Sequence, residues 1–113
     1  MSDITHTGFF GDTEHTFALT DAMILELERL AGVGIGALYN RAISMQFSNA
    51  DIVQTIRLGL IGGGMVPEQA KTLTDTYAVD RPMAETFPLA LDILDARWSG
   101  NPTLEPETKE TTE

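Results

Sequence analysis

The sequence predicts an α+β fold that is mainly α, with a short N-terminal β-hairpin packed on a bundle of four or five helices. Three observations carry this. Residues 4–19 hold a Gly-Asp pair between two strand-prone segments, and residues 20–99 repeat apolar side chains at helical spacing between capping residues and glycines. The length of 113 residues with 42% apolar content fits one small folded domain, placed at residues 1–99.

In the hairpin, ITHTGFFGDTEHTFAL, a two-residue loop at Gly11-Asp12 sets Ile4 opposite Leu19, His6 opposite Phe17 and Phe10 opposite Thr13. Ile4, Phe10, Phe17 and Leu19 then share one face, which the helices must cover because a lone hairpin is marginal in water. Thr20 is suited to cap a first helix carrying Met23, Leu27, Leu30 and Ala31, which Gly32 stops. A second helix is predicted over residues 35–47. Ser48 with Asp51 forms a variant capping box for a third, whose stripe is Ile52, Val53, Ile56 and Leu60. That helix should end within Gly62-Gly63-Gly64, which serves either as a plain cap or as a functional hinge. Pro67 suits the first turn of a fourth helix reaching about Tyr77, and Asp80 and Pro82 introduce a last one ending near Ser99. The expected core includes Leu27, Leu30, Ile52, Ile56, Leu60, Leu91 and Leu94. Residues 100–113 are poor in apolar side chains and rich in Glu, and are predicted to be an acidic disordered tail.

Composition removes several function classes. Seven Lys+Arg against seventeen Asp+Glu give a net charge of −10, which repels phosphate backbones and anionic lipid headgroups, so neither nucleic acid nor membrane is an expected partner. Without cysteine there is no disulfide, thiol nucleophile or cysteine-ligated zinc. The first residues lack the basic start and apolar run of a signal peptide, and no apolar stretch reaches membrane-spanning length. A soluble, cytoplasmic protein is expected.

No motif supports catalysis or a cofactor. Gly32-Val33-Gly34-Ile35-Gly36 follows a helix and lacks the G-x-G-x-x-G spacing of a dinucleotide loop, and GLIGGGMVPEQAK lacks the G-K-[ST] order of a phosphate loop. His6 and His15 approach diagonally on the hairpin, but two ligands are too few for a metal site. There is no G-x-S-x-G elbow, and Asp92 and Asp95 read as a solvated helix face. The expectation is no enzyme, no cofactor and no metal. The last helix is apolar nearly all round: Phe87, Ala90, Leu91, Leu94 and Trp98 form one stripe, and Leu89, Ile93 and Ala96 lie on nearly the opposite side. Such a helix is either enclosed by its own domain or shared with a partner. In the second case Leu89 and Ile93, with Leu58 and Ile61 flanking the third helix's stripe, would line an apolar partner-binding groove.

Four segments read together resemble a known family. They are F-x-G-D-x-E-x-x-F-x-L (Phe9 to Leu19), L-E-L-E-R-L-A-G-V-G, I-R-L-G-L-I-G-G-G (Ile56 to Gly64) and R-P-M-A-E-T-F-P-L-A-L-D-I-L (Arg81 to Leu94). Over about residues 8–100 the chain resembles the small gene transfer agent proteins of alphaproteobacteria, grouped with phage tail assembly chaperones. The resemblance implies a non-enzymatic protein of a phage-like gene cluster, acting in the cytoplasm of a bacterial producing cell. It would shield the tape-measure protein while tail tube subunits polymerise, with the tube protein a further partner and a homo-oligomer open. The alternatives are a structural component of the tail and, less favoured, a small enzyme or metal-binding domain. One hairpin offers too few strands to close a tube ring by itself, which favours the chaperone.

Overall fold

The computed structural model describes residues 2–102. Residues 103–113, most of the predicted acidic tail, lie outside the described residues. Strand β1 (Ser2–Asp3) is followed by β2 (Thr5–Phe10) and β3 (Thr13–Ala18), then by α1 (Asp21–Ala31), α2 (Ile35–Ile43), α3 (Asn49–Gly62), α4 (Pro67–Tyr77), α5 (Met83–Ser99) and β4 (Asn101–Pro102). This is the mainly α, α+β arrangement read from the sequence.

The β2–β3 hairpin has the predicted register, His6 opposite Phe17 and Phe10 opposite Thr13. Gly11 takes φ of 73° in the loop, a conformation open to glycine without a Cβ penalty. Because side chains alternate, that register turns Phe10, Phe17 and Leu19 into the core together. Ile4 does not join them and is only half-buried. It occupies the break between β1 and β2, where the Thr5 amide donates to Asp3 Oδ1 at 2.9 Å. β1 pairs antiparallel with β4, Ser2 with Pro102 and Asp3 with Asn101, so the two ends of the described chain are tied. Two residues carry no periodicity, so no pattern in the chain marks this pairing.

The caps fix the helices. Thr20 Oγ1 accepts from the Met23 amide, and Gly32 ends α1 at φ 76°. Ser48 and Asp51 form the complete reciprocal capping box at α3. Asp51 is also buried and ion-paired to Arg41 at 3.1 Å, which fastens α2 to α3. α2 stops at Ile43 rather than Phe47: Ser44 Oγ donates back to the Asn40 carbonyl at 2.7 Å and Met45 takes φ of 61°. This releases Phe47 to stack on Phe87 of α5, ring centres 4.6 Å apart.

α3 is the central element, packed against α1, α4, α5 and β3. Ile56, Leu58 and Leu60 are buried on it, as are Ile52 and Thr55. Of the expected core, Leu27, Ile52, Ile56, Leu60 and Leu94 are buried, and Leu91 is half-buried against them. Leu30 is a correction. It is 40% exposed, because it sits in the last turn of α1 at the margin of the stripe, beside Ala50 and Gln54.

α3 ends within the glycine run as expected, with Gly63 as its C-cap, and Gly62 and Gly63 also meet β3. A Cβ on Gly62 would lie 1.8 Å from the Ala18 carbonyl oxygen, and one on Gly63 would lie 2.0 Å from that of Thr16. Both clashes are with backbone, which has no rotamer to yield. The end of α3 therefore meets the edge of β3 at a separation that only glycine permits. Gly62→Ala and Gly63→Ala should each cost about 3 kcal/mol or more in urea denaturation, the upper range for overpacking. At Gly36, where a Cβ meets nothing within 4 Å, alanine should be neutral or stabilise by about 0.5 kcal/mol.

Candidate protein-docking surfaces

The four residues named for a partner groove do not assemble into one. Leu58 and Ile93 are 2% and 1% exposed and belong to the buried core. A Cβ at Gly59 would stand 3.3 Å from Ile93 Cγ2, so the helices cross closely there. A partner could touch Leu58 or Ile93 only by opening the core. Ile61 packs half-buried against the core from its margin. Leu89 alone of the four reaches a surface cleft, about 200 Å³ in volume, shared with Phe9, Phe10, Tyr77, Arg81, Glu85 and Thr86. The all-round apolar character of α5 thus reflects enclosure along most of its length.

The end of α5 is different. Trp98 is 71% exposed and stacks on Tyr39 of α2, ring centres 5.6 Å apart and planes 16° from parallel. The pair walls a cleft of about 130 Å³ floored by Ile24, Ile35 and Leu94. The site is braced by polar contacts on both sides. The Tyr39 hydroxyl donates to Asp95 Oδ1, while Arg97 donates to the Leu19 carbonyl at 2.9 Å and to Asp21 Oδ1 at 2.8 Å. A large, rigid, half-stacked aromatic surface over an apolar floor, with charges at the rim, has the make-up of a protein contact. Helical spacing placed Trp98 in one stripe with Phe87, Ala90, Leu91 and Leu94 and left open whether that stripe is covered. The last turn of α5 carries Trp98 to the margin of the bundle, and the signal left in the sequence is a lone tryptophan near a helix end.

The hairpin histidines bracket Phe17, at ring separations of 6.2 Å for His6 and 6.4 Å for His15. His6 Nε2 stands 3.9 Å from Asp92 Oδ2, and buried His15 Nε2 has no hydrogen-bond partner among the described residues. No group of three or more His, Cys, Asp or Glu among the described residues is placed to hold a metal. Asp92 and Asp95 answer to different neighbours, His6 and Tyr39, and share no site. No helix of the described residues is long and apolar enough to cross a membrane.

The chain is thus a small hairpin packed on helices with an exposed aromatic pair at one end. Its sequence matches the family model described as phage tail tube protein, GTA-gp10, over residues 3–100, and the chain belongs to that family. The match supports the phage tail and gene transfer agent resemblance, and its description names the tube rather than a chaperone. Nothing among curated proteins or solved structures matches the chain.

The Tyr39 hydroxyl has its pKa raised above the ordinary 10.0, first by its hydrogen bond to Asp95, then by desolvation and the carboxylate's charge. A raised tyrosine pKa means that this contact is fully present below the ordinary value and is lost as pH rises through the folded one. In an alkaline titration followed by tyrosinate absorbance, with Tyr39→Phe to assign the signal, Asp95→Ala should bring the Tyr39 midpoint down toward 10. An unchanged midpoint would contradict the bond.

Proposed function

We propose that this chain is a non-enzymatic structural component of a phage-like tail of the gene transfer agent type, attached to the tail tube through the Tyr39–Trp98 cleft. The observation that carries the reading is the family match across residues 3–100. The physical features agree with it. A net charge of −10 keeps the free protein soluble while it presents an exposed aromatic pair, and Trp and Tyr are the residues that most often dominate binding energy at interfaces. The tube protein is the proposed first partner, with assembly in the cytoplasm of a bacterial producing cell; alphaproteobacteria are the proposed setting.

A second reading is kept because one observation favours it. The sheets among the described residues are a hairpin of two six-residue strands and a pairing of two two-residue strands, too little to close a tube wall within one ring of copies. On that ground the chain could instead act as a tail assembly chaperone that covers the tape-measure protein and leaves before completion. Either role is non-enzymatic.

Quantitative mass spectrometry of purified particles separates the two. The structural reading expects the chain at fixed stoichiometry in finished tails. It also expects Trp98→Ala to lower incorporation by about tenfold or more, a hot-spot loss, with thermal stability nearly unchanged because Trp98 is mostly exposed. Tails that need the chain to form yet lack it when finished would favour the chaperone. Normal incorporation of Trp98→Ala would remove the cleft from the account.

A further inference from the structure

The loop geometry also fixes which backbone groups of the hairpin are spare. A two-residue loop makes Phe10–Thr13 a hydrogen-bonded pair, and with it Gly8–His15 and His6–Phe17. The N–H and C=O groups of Thr7 and Phe9 then point away from β3. The opposite edge confirms the phase, since the Thr16 and Ala18 carbonyls face outward onto Gly63 and Gly62. So α3 covers the β3 edge. On the β2 side no backbone bond outside the ladder involves Thr7 or Phe9 among the described residues.

Soluble proteins usually blunt such an edge with lysine, proline or a bulge. β2 has none of these in THTGFF, and its six residues pair without a bulge. Its outward side chains are Thr7 and Phe9, the latter 66% exposed. Beneath it α5 runs antiparallel: His6 faces Asp92, Gly8 faces Leu89, and the Phe10–Gly11 end meets Glu85 and Thr86. Glu85, Leu89 and Asp92 form one helical stripe, with Glu85 and Asp92 more than half exposed. Asp12 and Glu14 lie on the loop and on β3. Arg81, a nearby cation, already pairs with Glu85 at 3.3 Å.

We propose that the β2 edge is a strand-addition site for an extended segment of a partner protein in which Lys or Arg alternates with apolar residues. Thr7 and Phe9 supply the main-chain bonds. The partner's apolar side chains lie over Phe9 on the outer face. Its cationic side chains reach down past β2 to Glu85 and Asp92, their methylene stems covering Leu89. A second copy is a poorer occupant, because it would bring two acid-bordered edges of a chain of charge −10 together. The site shares α5 with the Tyr39–Trp98 cleft but none of its lining residues, and it does not depend on the tail role.

The test titrates the full chain with an end-blocked octapeptide of alternating Val and Lys at low salt, followed by NMR, with alternating Val and Glu as control. The proposal expects shifts at Thr7, Gly8, Phe9 and the Glu85–Asp92 flank, and slowed amide exchange at Thr7 and Phe9. Salt should weaken the binding, and the Val-Glu peptide should not bind. Thr7→Pro deletes only an outward N–H, tolerated at a sheet edge, and should weaken binding at least about tenfold. Should that variant fail to fold, Phe9→Lys, which leaves the backbone groups in place and adds a cation at the edge, should give a similar loss. Absence of binding, equal binding of both peptides, shifts centred on Trp98, or full affinity in the folded variants would overturn the proposal. So would a wild-type dimer that Thr7→Pro converts to monomer, which would assign the edge to a second copy.

Discussion

The close approach of the α3 C-terminus to the β3 backbone is the constraint on which the rest of the structure depends. Gly62 and Gly63 let a helix end lie directly on the outward carbonyls of Thr16 and Ala18, so the hairpin is held by main chain as well as by Phe10, Phe17 and Leu19. A hairpin of this size has no independent stability. Fixed to α3, it becomes one wall of the core, and α5 closes the opposite side through Ile93 and Leu94. α3 then touches a neighbour on every flank, which explains why its apolar residues extend beyond a single stripe.

Much of this was legible in the sequence because the deciding signals are local. The Gly-Asp loop sets the strand register by itself, Thr20 and the Ser48–Asp51 box set helix starts, and Gly32 and Pro67 set boundaries. What was not legible depends on distant partners. The reason for Gly62-Gly63 is a strand far away in the chain, so the sequence alone left a choice between a cap and a hinge. Ile93 and Leu58 looked available because helical spacing shows two apolar sides without showing what covers them. Nor does spacing tell where a bundle stops, so it could not show that Trp98 stands at the margin. The end of α2 at Ile43 turns on Phe47 finding Phe87.

The surface follows from the same geometry. Enclosing α3 and most of α5 uses the aliphatic side chains of the core, while Leu25, Ile43, Met45 and Val66 stay exposed on other elements. The aromatic pair Tyr39–Trp98 and the edge carrying Phe9 are further exposed apolar features, set among acids. The chain's basic side chains are largely engaged within the fold: Arg29 with Glu26, Arg41 with Asp51, Lys71 with Asp75, Arg81 with Glu85 and Arg97 with Asp21. The acidic excess is therefore presented outward.

Native-state amide hydrogen exchange tests most directly whether hairpin and α3 form one cooperative unit. Opening free energies rise to the global value only where elements unfold together. The account predicts that the ladder amides of His6, Gly8, His15 and Phe17 are protected to within about tenfold of those of Ile56 to Leu60 in α3. Hairpin amides exchanging orders of magnitude faster, with α3 still protected, would mean that the strands open on their own and that the glycine contact does not hold the fold together.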